Sequence, residues 1–418
     1  MSYLRHVIIG NSAAGLNAAK AIREVDQTSK IVMLTAEDCL AYSPVVLPYL
    51  VSGRMKEPQM YITDRAFYDR HQIDLRLGTT AEGIDTGQQQ VHLRKGSRLG
   101  YDRLLIATGA SARKLAMDTN AVRENIFTLR TMADARAIVK ASEKASDVLM
   151  IGAGLVGLET GHAFEKKGKK VTVIAKSDHL LSQNSDARCA RMIQDKIETK
   201  GVRFLFGRDV TALSQVNGRI CVKTDQQDEF FVDLIVVGKG VDPNLALVKG
   251  TDITTDRGIR VNLSMQTSVP GIYAAGDVAQ ARHLLSGKSK IFGNWPSACI
   301  EGKIAGCNMA GEKYNLAGEV AYNVLPVFDC TAAFLERRDA GDGQTQVLTY
   351  INKRKSIYRK ILIKNNCIIG AVMLGAYQDA GVVLYLLKKR KNIARIKDTL
   401  ASGRALWGDV MKNNHFKQ

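Results

Sequence analysis

Two glycine-rich turns constrain the fold of this chain more than any other feature of its sequence. They lie in the segments HVIIGNSAAGLNAAKAIREV and DVLMIGAGLVGLETGHAFEKKG, about 140 residues apart. The first turn contains Gly10, Ser12 and Gly15, and the second contains Gly152, Gly154 and Gly157. Each turn follows an apolar run and precedes a helical pattern and a second apolar run, KIVMLT or KKVTVIA. Each segment is therefore predicted to form a βαβ unit, the context in which such a turn binds a dinucleotide.

The glycine spacing has a physical reason in both units. The first glycine makes a tight turn, the second lets the backbone approach a diphosphate, and the third lets the helix pack closely on the strand. The diphosphate then lies at the partially positive N-terminus of the helix. Ser12 departs from this pattern, although its hydroxyl can donate to a phosphate. Glu37 lies 22 residues beyond Gly15, where a carboxylate that binds the adenosine ribose is expected, and the alternative is a solvated loop glutamate.

Length and composition are those of a globular protein with several domains. The chain has 418 residues, which predicts two to four domains. Apolar residues make up 45% and charged residues 24%, and this composition excludes a disordered chain. The most apolar stretch, residues 368–387, is interrupted by Gln378 and Asp379. We therefore expect a buried strand and a helix there and no transmembrane segment.

The cysteines and the N-terminus indicate the compartment. The seven cysteines are widely scattered and form no CxxC or CxxxxC pair, so we expect no metal site and no local redox dithiol. The N-terminus enters an apolar strand directly, without the pattern of a signal peptide. We expect a cytoplasmic protein with reduced thiols.

Two further segments carry a family resemblance. YDRLLIATGA ends in Ala107, Thr108 and Gly109, and TSVPGIYAAGDVAQ contains Gly276 and Asp277. With the two glycine-rich turns, the chain resembles the FAD-dependent pyridine nucleotide–disulfide oxidoreductase superfamily over residues 1 to about 315. The resemblance implies an α/β fold with two Rossmann-like dinucleotide-binding domains, the NAD(P) domain inserted in the FAD domain, and a C-terminal α+β interface domain. The implied boundaries are 1–112 and 244–318 for FAD, 113–243 for NAD(P), and 319–418 for the interface domain.

The resemblance also implies the residues that bind the two cofactors. For FAD they are Gly10, Ser12, Ala14, Gly15, Glu37, Pro44, Ala81, Ala107, Thr108, Gly109, Arg130, Gly276, Asp277 and Trp295. For NAD(P) they are Gly152, Gly154, Leu155, Val156, Gly157, Glu159, Lys176 and Gly238. Asp277 is expected to bind the ribityl chain, Arg130 to reach the flavin side of the cleft, and Glu159 to meet the nicotinamide. Trp295 is expected near the isoalloxazine, and the alternative is a core tryptophan.

The chemistry depends on a cysteine that this chain lacks. In the branch of coenzyme A disulfide reductases and NADH peroxidases, a redox cysteine occupies the position of Val45 in AYSPVVLPYLVSG. Valine holds neither a sulfenate nor a mixed disulfide. The chain therefore resembles the ferredoxin and rubredoxin reductase branch, in which FAD carries the chemistry and no side chain acts as a catalyst. The alternatives are a thiol or peroxide reductase of the coenzyme A-disulfide type that uses Cys39, and a structural flavoprotein subunit.

Two segments indicate a more specific role. CLAYSPVVLPYLVSG and AAGDVAQAR resemble the FAD subunits of NADH-dependent phenylglyoxylate dehydrogenases, which serve a larger iron–sulfur and thiamine enzyme. The nicotinamide preference is open. Ala175 replaces the acid of NAD-specific members, and Lys176 favours the 2′-phosphate of NADP, whereas Asp178 would restore NAD. No role is assigned to Lys239.

Positive charge is concentrated at the C-terminal end. Residues 351–418 contain 15 Lys and Arg against three Asp, a local +12 out of a total of +18. One-sign charge steers an oppositely charged partner, which predicts that an acidic iron–sulfur protein or subunit docks here. The alternatives are a solvated surface and attraction of KKRK to a membrane surface. No nucleic-acid-binding module accompanies the charges, and a homodimer through the C-terminal domain is a further expectation.

Overall fold

Apolar runs along the chain form the strands of three large sheets. The structure is a computed structural model that describes residues 3–336 and 343–402. Residues 403–418, part of the predicted basic segment, lie outside the described residues. The chain divides into two compact units. The first is Met1–Leu47, Met55–Ala112 and Val241–Ala321, and the second is Pro48–Arg54, Arg113–Gly240 and Tyr322–Gln418. The four-part domain division stays a prediction.

The helices of the described residues are short to medium in length. They are α1 Ala13–Val25, α2 Leu47–Ser52, α3 Arg65–Arg70, α4 Met132–Ser142, α5 Leu155–Lys166, α6 Ala187–Glu198, α7 Trp295–Met309, α8 Ala380–Lys388 and α9 Lys397–Ser402.

The strands of the described residues have between two and eight residues. They are β1 Arg5–Ile9, β2 Lys30–Leu34, β3 Ile73–Arg76, β4 Ala81–Asp85, β5 Gln90–Leu93, β6 Arg98–Gly100, β7 Arg103–Ile106, β8 Ala110–Ala112, β9 Ile126–Thr128, β10 Asp147–Ile151, β11 Lys170–Ala175, β12 Arg203–Phe206, β13 Val210–Val216, β14 Arg219–Thr224, β15 Glu229–Val232, β16 Leu234–Val237, β17 Val241–Pro243, β18 Ile259–Arg260, β19 Ile272–Ala274, β20 Ala279–Arg282, β21 Ser289–Lys290, β22 Tyr322–Val327, β23 Cys330–Glu336, β24 Gln346–Asn352, β25 Ile357–Lys364 and β26 Cys367–Leu374.

The first unit is built on a parallel sheet with the strand order β19-β7-β1-β2-β3. Its central strands β1, β2 and β7 contain continuous apolar runs because a parallel sheet is covered on both faces. All of β7 from Leu104 to Ile106 is fully buried, as are Val7 and Ile8 of β1. The first glycine-rich segment forms β1, α1 and β2, so the predicted βαβ unit is confirmed.

The second unit contains a parallel sheet and an antiparallel sheet. The parallel sheet has the order β12-β11-β10-β16-β9, and the second glycine-rich segment forms β10, α5 and β11 within it. The antiparallel sheet has the order β22-β23-β26-β25-β24, and α8 packs on β26. Residues 368–387 therefore fold as the expected strand and helix. Among the described residues, no helix has both the length and the apolar character needed to cross a membrane.

Helices α1 and α7 approach each other backbone to backbone in the first unit. A Cβ atom built on Gly302 would lie 2.2 Å from the carbonyl oxygen of Ala14. One turn further along, a Cβ atom on Gly306 would lie 2.4 Å from the carbonyl oxygen of Ala18. Real atoms do not approach so closely, so only glycine fits at these two positions of α7. The crossing fixes the N-terminal half of α1 against the middle of α7.

A buried ion pair lies inside the antiparallel sheet of the second unit. The guanidinium of Arg359 on β25 donates two hydrogen bonds to the carboxylate of Asp379, at 2.7 and 2.6 Å, and a third to the carbonyl of Leu400. Arg359 is 1% exposed and Asp379 5%. The pair joins β25 to the segment between β26 and α8. Removal of one partner would be strongly destabilising, because it would leave the other charge buried and unpaired.

We expect Gly302→Ala to destabilise the first unit by about 3 kcal/mol, because the added methyl group meets the α1 backbone, which has no flexible atom to move aside. The measurements are the melting temperature of the variant and the amount of FAD that the purified variant retains. Gly381→Ala is the matched control, since nothing lies within 4 Å of its Cβ position in α8. That variant should be neutral or stabilised by at most about 1 kcal/mol. Equal melting temperatures for the two variants would show that the crossing tolerates a side chain.

Candidate dinucleotide sites in the two units

The predicted FAD residues of the first unit meet at the carboxyl edge of its parallel sheet. Strands β19, β7 and β1 are neighbours, and each runs directly into one of the predicted segments. These segments are Gly276 and Asp277 after β19, residues 107–109 after β7, and Gly10 after β1. The chain continues from β1 to β2 on one side, whereas β7 lies on the other, so this is the point where the strand order changes direction. Ligands of open α/β sheets bind at such a point.

The turn between β1 and α1 has the backbone geometry of a dinucleotide cradle. Gly10 has a φ of +128°, and a Cβ there would lie 2.1 Å from the carbonyl oxygen of Ala107. A Cβ on Gly15 would lie 1.9 Å from the carbonyl oxygen of Gly10. Both positions therefore require glycine. Ser12 precedes α1 in an extended conformation, with a φ of −144°, and its hydroxyl does not cap the helix. Since any residue adopts this conformation, serine is accommodated at the middle position.

Hydrogen-bond donors face this cradle. The first bond within α1 is donated by the Leu16 amide to the Ser12 carbonyl, so the preceding amides, including that of Ala14, have no partner in the helix. The side-chain nitrogen of Asn11 is buried without a partner, while its oxygen accepts a 2.9 Å hydrogen bond from Tyr68. A buried unpaired donor is costly. Asn11 is thus a further candidate donor at this turn, which glycine spacing alone does not reveal.

Glu37 lies in an ordered loop beyond β2. The Tyr42 hydroxyl donates a 2.7 Å hydrogen bond to its carboxylate, and the Gly78 amide donates to its carbonyl. The second bond brings the segment that leads to Ala81 next to Glu37. Pro44 begins a short 3₁₀ helix in the same loop. The structure therefore brings Glu37 and Ala81 together at the edge that carries Gly10, and their contacts with FAD stay predictions.

The Ala107–Gly109 turn is held by a residue that the sequence analysis missed. The side chain of Asn244 donates a 2.8 Å hydrogen bond to the carbonyl of Thr108, and its backbone amide donates to the carbonyl of Gly109. Its side-chain oxygen accepts from the Ser111 hydroxyl at 2.7 Å. Because Thr108 and Asn244 are 136 positions apart, no local pattern shows this pairing. The only sequence signal is the DPN segment after the apolar strand β16.

The remaining predicted flavin residues differ in their surroundings. Trp295 is the first residue of α7, is half-buried, and packs against the core of the first unit, and its place near the isoalloxazine stays a prediction. Arg130 follows β9 in the second unit, where its amide donates to Asp134. Its role toward the flavin stays a prediction. Cys39 is 8% exposed, whereas Val45, at the position of the redox cysteine, is 56% exposed.

The second cradle lies at the carboxyl edge of the second parallel sheet. A Cβ on Gly152 would lie 2.4 Å from the carbonyl oxygen of Gly238, and one on Gly157 would lie 2.3 Å from the carbonyl oxygen of Gly152. Gly238 follows β16, and its amide donates to Ile151 at the end of β10. By contrast, nothing lies within 4 Å of the Cβ position of Gly154. The middle glycine thus faces the open space in which a diphosphate would approach the backbone.

The first turns of α5 present apolar and acidic side chains beside this cradle. Leu155 is half-buried and Val156 is 48% exposed, so the side chain of Val156 is available to a ligand. Glu159 has no hydrogen-bond partner among the described residues, and burial raises its pKa to about 7. Its carboxyl group is therefore partly protonated near neutral pH. These positions agree with the predicted NAD(P) set, although contact with the nicotinamide stays a prediction.

The end of β11 carries a cation that has no carboxylate partner in the part of the chain that the structure describes. Ala175 is buried, and Lys176 after it is exposed and forms no ion pair with any described residue. Asp178 is engaged with the imidazole of its neighbour His179. Lys239, to which the sequence analysis assigned no role, forms an ion pair with Asp209 at 2.9 Å. Of the two lysines, Lys176 is thus the one whose charge is available to a ligand.

Two glycine-rich turns at the carboxyl edges of two parallel sheets define the class of this chain, a reductase with two dinucleotide sites. The glycine contacts, the unpaired side-chain nitrogen of Asn11 and the open space at Gly154 all fit this class. The chain belongs to the pyridine nucleotide-disulphide oxidoreductase family, whose model matches residues 4–302. It is an NAD(P)H oxidoreductase, and FAD and NAD(P)H are the cofactors of the family.

Relatives cover the chain beyond the family model. It is 28% identical to subunit epsilon of the NADH-dependent phenylglyoxylate dehydrogenase of Aromatoleum evansii, over 99% of both chains. It is 28% identical to the assimilatory nitrate reductase electron transfer subunit of Bacillus subtilis, over 95% of this chain and about half (51%) of that protein. The structure of an NAD-dependent persulfide reductase from A. fulgidus is 26% identical, with a TM-score of 0.86 over 94% of this chain and 79% of that one. Ferredoxin, rubredoxin and coenzyme A-dependent persulfide reductases are also relatives.

Proposed function

We propose that this protein exchanges electrons between NAD(P)H and an iron–sulfur protein, or an iron–sulfur subunit of a larger redox complex, through bound FAD. The observation that carries the proposal is the pair of fully formed dinucleotide cradles in a chain that has Val45 at the position of the redox cysteine. Relatives named as electron transfer subunits and as ferredoxin or rubredoxin reductases support it. The seven free thiols support a reducing cytoplasmic setting.

The protein contributes binding and orientation rather than side-chain chemistry. Bound FAD would supply the chemistry of hydride acceptance and single-electron release. The amides at the start of α1 and the ordered Glu37 loop would hold its adenosine diphosphate half, and Asp277 would hold the ribityl chain. Gly154 and the first turn of α5 would hold the nicotinamide dinucleotide. Correct alignment of two bound reactants lowers the barrier without a nucleophile or a general base.

The proposed electron path predicts that FAD is reduced without any thiol. Anaerobic addition of NADH or NADPH should bleach the yellow protein fully, and Cys39→Ser should be reduced at the wild-type rate. The measurement is stopped-flow absorbance of the flavin. A long-wavelength charge-transfer band that Cys39→Ser abolishes would instead support the persulfide-reductase type of chemistry that some relatives perform. Bound FAD that neither nicotinamide reduces would indicate a structural flavoprotein subunit.

We propose that Lys176 selects NADPH by binding its 2′-phosphate. A partly exposed charge-assisted hydrogen bond contributes about 1–3 kcal/mol, which corresponds to roughly 5- to 150-fold in relative kcat/KM. Lys176→Ala should therefore raise KM for NADPH by a factor in this range and leave KM for NADH unchanged. Lys170→Ala is the control, because Lys170 is an exposed lysine at the opposite end of the same strand. A wild type that prefers NADH, with no change in Lys176→Ala, would contradict this assignment and direct attention to Asp178.

We propose that the acidic partner docks on one end of the antiparallel sheet, which we term the basic end. It consists of Lys364, Lys389, Arg390, Lys391 and Lys397. Backbone bonds bring these residues together, since the Ile393 amide donates to Asn366 in the turn after β25. The amine of Lys397 also reaches Gln346 at the start of β24. One-sign charge accelerates the encounter with an oppositely charged carrier.

Charge reversal at the basic end should slow electron transfer to an acidic [2Fe–2S] ferredoxin. We expect Lys389→Glu with Arg390→Glu to lower the second-order rate by about tenfold or more at low salt and by much less at high salt, because salt screens the attraction. Lys353→Glu with Lys355→Glu is the control, since these exposed residues lie in the turn at the other end of the sheet. Equal losses in both variants would indicate a general charge effect. A homodimer through this domain would appear as a doubled mass in sedimentation.

A further inference from the structure

A buried carboxyl group beside the FAD site has no role in the proposed chemistry. Glu301 lies in the middle of α7 and is 2% exposed. One of its oxygens, Oε2, accepts a 2.8 Å hydrogen bond from the backbone amide of Gly276. No lysine, arginine or histidine of the described chain forms an ion pair with it. Because glutamate is rarely buried without a basic partner, this position requires an explanation.

The neighbours of Glu301 are acidic rather than basic. The carboxylates of Asp277 and Glu319 are the charged groups that act on it, one from the turn after β19 and the other from the segment before β22. Burial, with a smaller contribution from these two carboxylates, raises the pKa of Glu301 to about 8, although the Gly276 hydrogen bond opposes the shift. Glu301 therefore carries a proton at neutral pH.

The backbone around Glu301 leaves it little freedom to move. The next residue, Gly302, meets the α1 backbone at Ala14. Gly276 has a φ of +81°, and a Cβ there would lie 3.4 Å from the Ala14 side chain and 3.6 Å from the Ala298 side chain. The hydrogen bond from Gly276 to Glu301 thus closes a junction of three segments, namely the start of α1, the middle of α7 and the turn after β19. Without an acceptor, the Gly276 amide would be a poorly solvated donor.

We propose that Glu301 is a positioning residue of the FAD site, which holds the Gly276–Asp277 turn against the N-terminus of α1 as a neutral carboxyl group. The proposal rests on the FAD assignment and not on the electron acceptor. In its protonated form, Glu301 accepts from Gly276 without adding a negative charge beside Asp277. The consequence is a link between protonation of Glu301 and FAD affinity.

The sign of that link follows from the burial of the site. We expect bound FAD to exclude water from the junction, which would disfavour the charged form of Glu301 further and raise its pKa above about 8. The complex then binds a proton more tightly than the free protein. FAD affinity should therefore be constant below pH 7.5 and fall as pH rises above about 8, by up to roughly tenfold per pH unit.

The test is FAD binding to the apoprotein, followed by quenching of flavin fluorescence between pH 6.5 and 9.5, with no nicotinamide present. Glu301→Gln keeps an acceptor for Gly276 but cannot ionise. It should bind FAD within about threefold of wild type at pH 7 and lose the alkaline decrease in affinity. Glu301→Ala removes the acceptor and should weaken FAD about 10- to 100-fold at pH 7. Glu312→Gln is the control, an exposed glutamate just beyond the same helix that should retain the wild-type profile.

Two results would overturn the proposal. One is a wild-type alkaline decrease that persists in Glu301→Gln, and the other is a folded Glu301→Ala protein that binds FAD as tightly as wild type. Circular dichroism establishes folding, and if Glu301→Ala does not fold, the pH profile of Glu301→Gln decides. A protein that binds FAD as described but is not reduced by NADH or NADPH would contradict the proposed function and leave this inference intact.

Discussion

The approach of α7 to α1 is the contact on which the first dinucleotide site depends. Gly302 and Gly306 bring two helix backbones together at the point where α1 begins to present its amides. This crossing also sets the position of the turn after β19, since Gly276 packs against side chains of both helices. The glycines of the β1–α1 turn bring the backbone close to a ligand, but α7 decides where that turn lies relative to Asp277. In this unit, the packing of α7 on α1 therefore also sets the relative positions of the turns that are predicted to bind the ligand.

In the second unit, no described glycine brings two helix backbones together as Gly302 and Gly306 do in the first. Its cradle has the same two close approaches as the first, with Gly152 against the carbonyl of Gly238 and Gly157 against the carbonyl of Gly152. The middle position differs as well, because Gly154 is open to solvent and Ser12 occupies the corresponding place in the first unit. The two copies of the motif thus share the strand–turn–helix order and differ in the elements that pack against the helix.

Much of this arrangement could be predicted from sequence because its determinants are local. Glycine spacing and apolar runs identify both βαβ units, and the strand ends identify the segments that meet at each sheet edge. Asn244 and Glu301 could not be found in this way, since each acts on a turn that is distant in sequence. Lys239 shows the same limit, because its partner Asp209 follows a different strand. Residue type and spacing indicate which groups bind a ligand, whereas the groups that hold those residues in place emerge only from the three-dimensional pairing.

The order of the segments along the chain also has a consequence during synthesis. The first unit is assembled from three stretches, and the last of them carries β19 and α7. The face of α1 at Ala14 is therefore covered only after Gly302 of α7, some 290 residues later in the chain, has been synthesised. At roughly 5–20 residues per second, the ribosome needs about 15–60 s to supply that covering surface. The parallel sheet of the second unit, whose strands all lie between Ile126 and Val237, is complete well before then and can fold first.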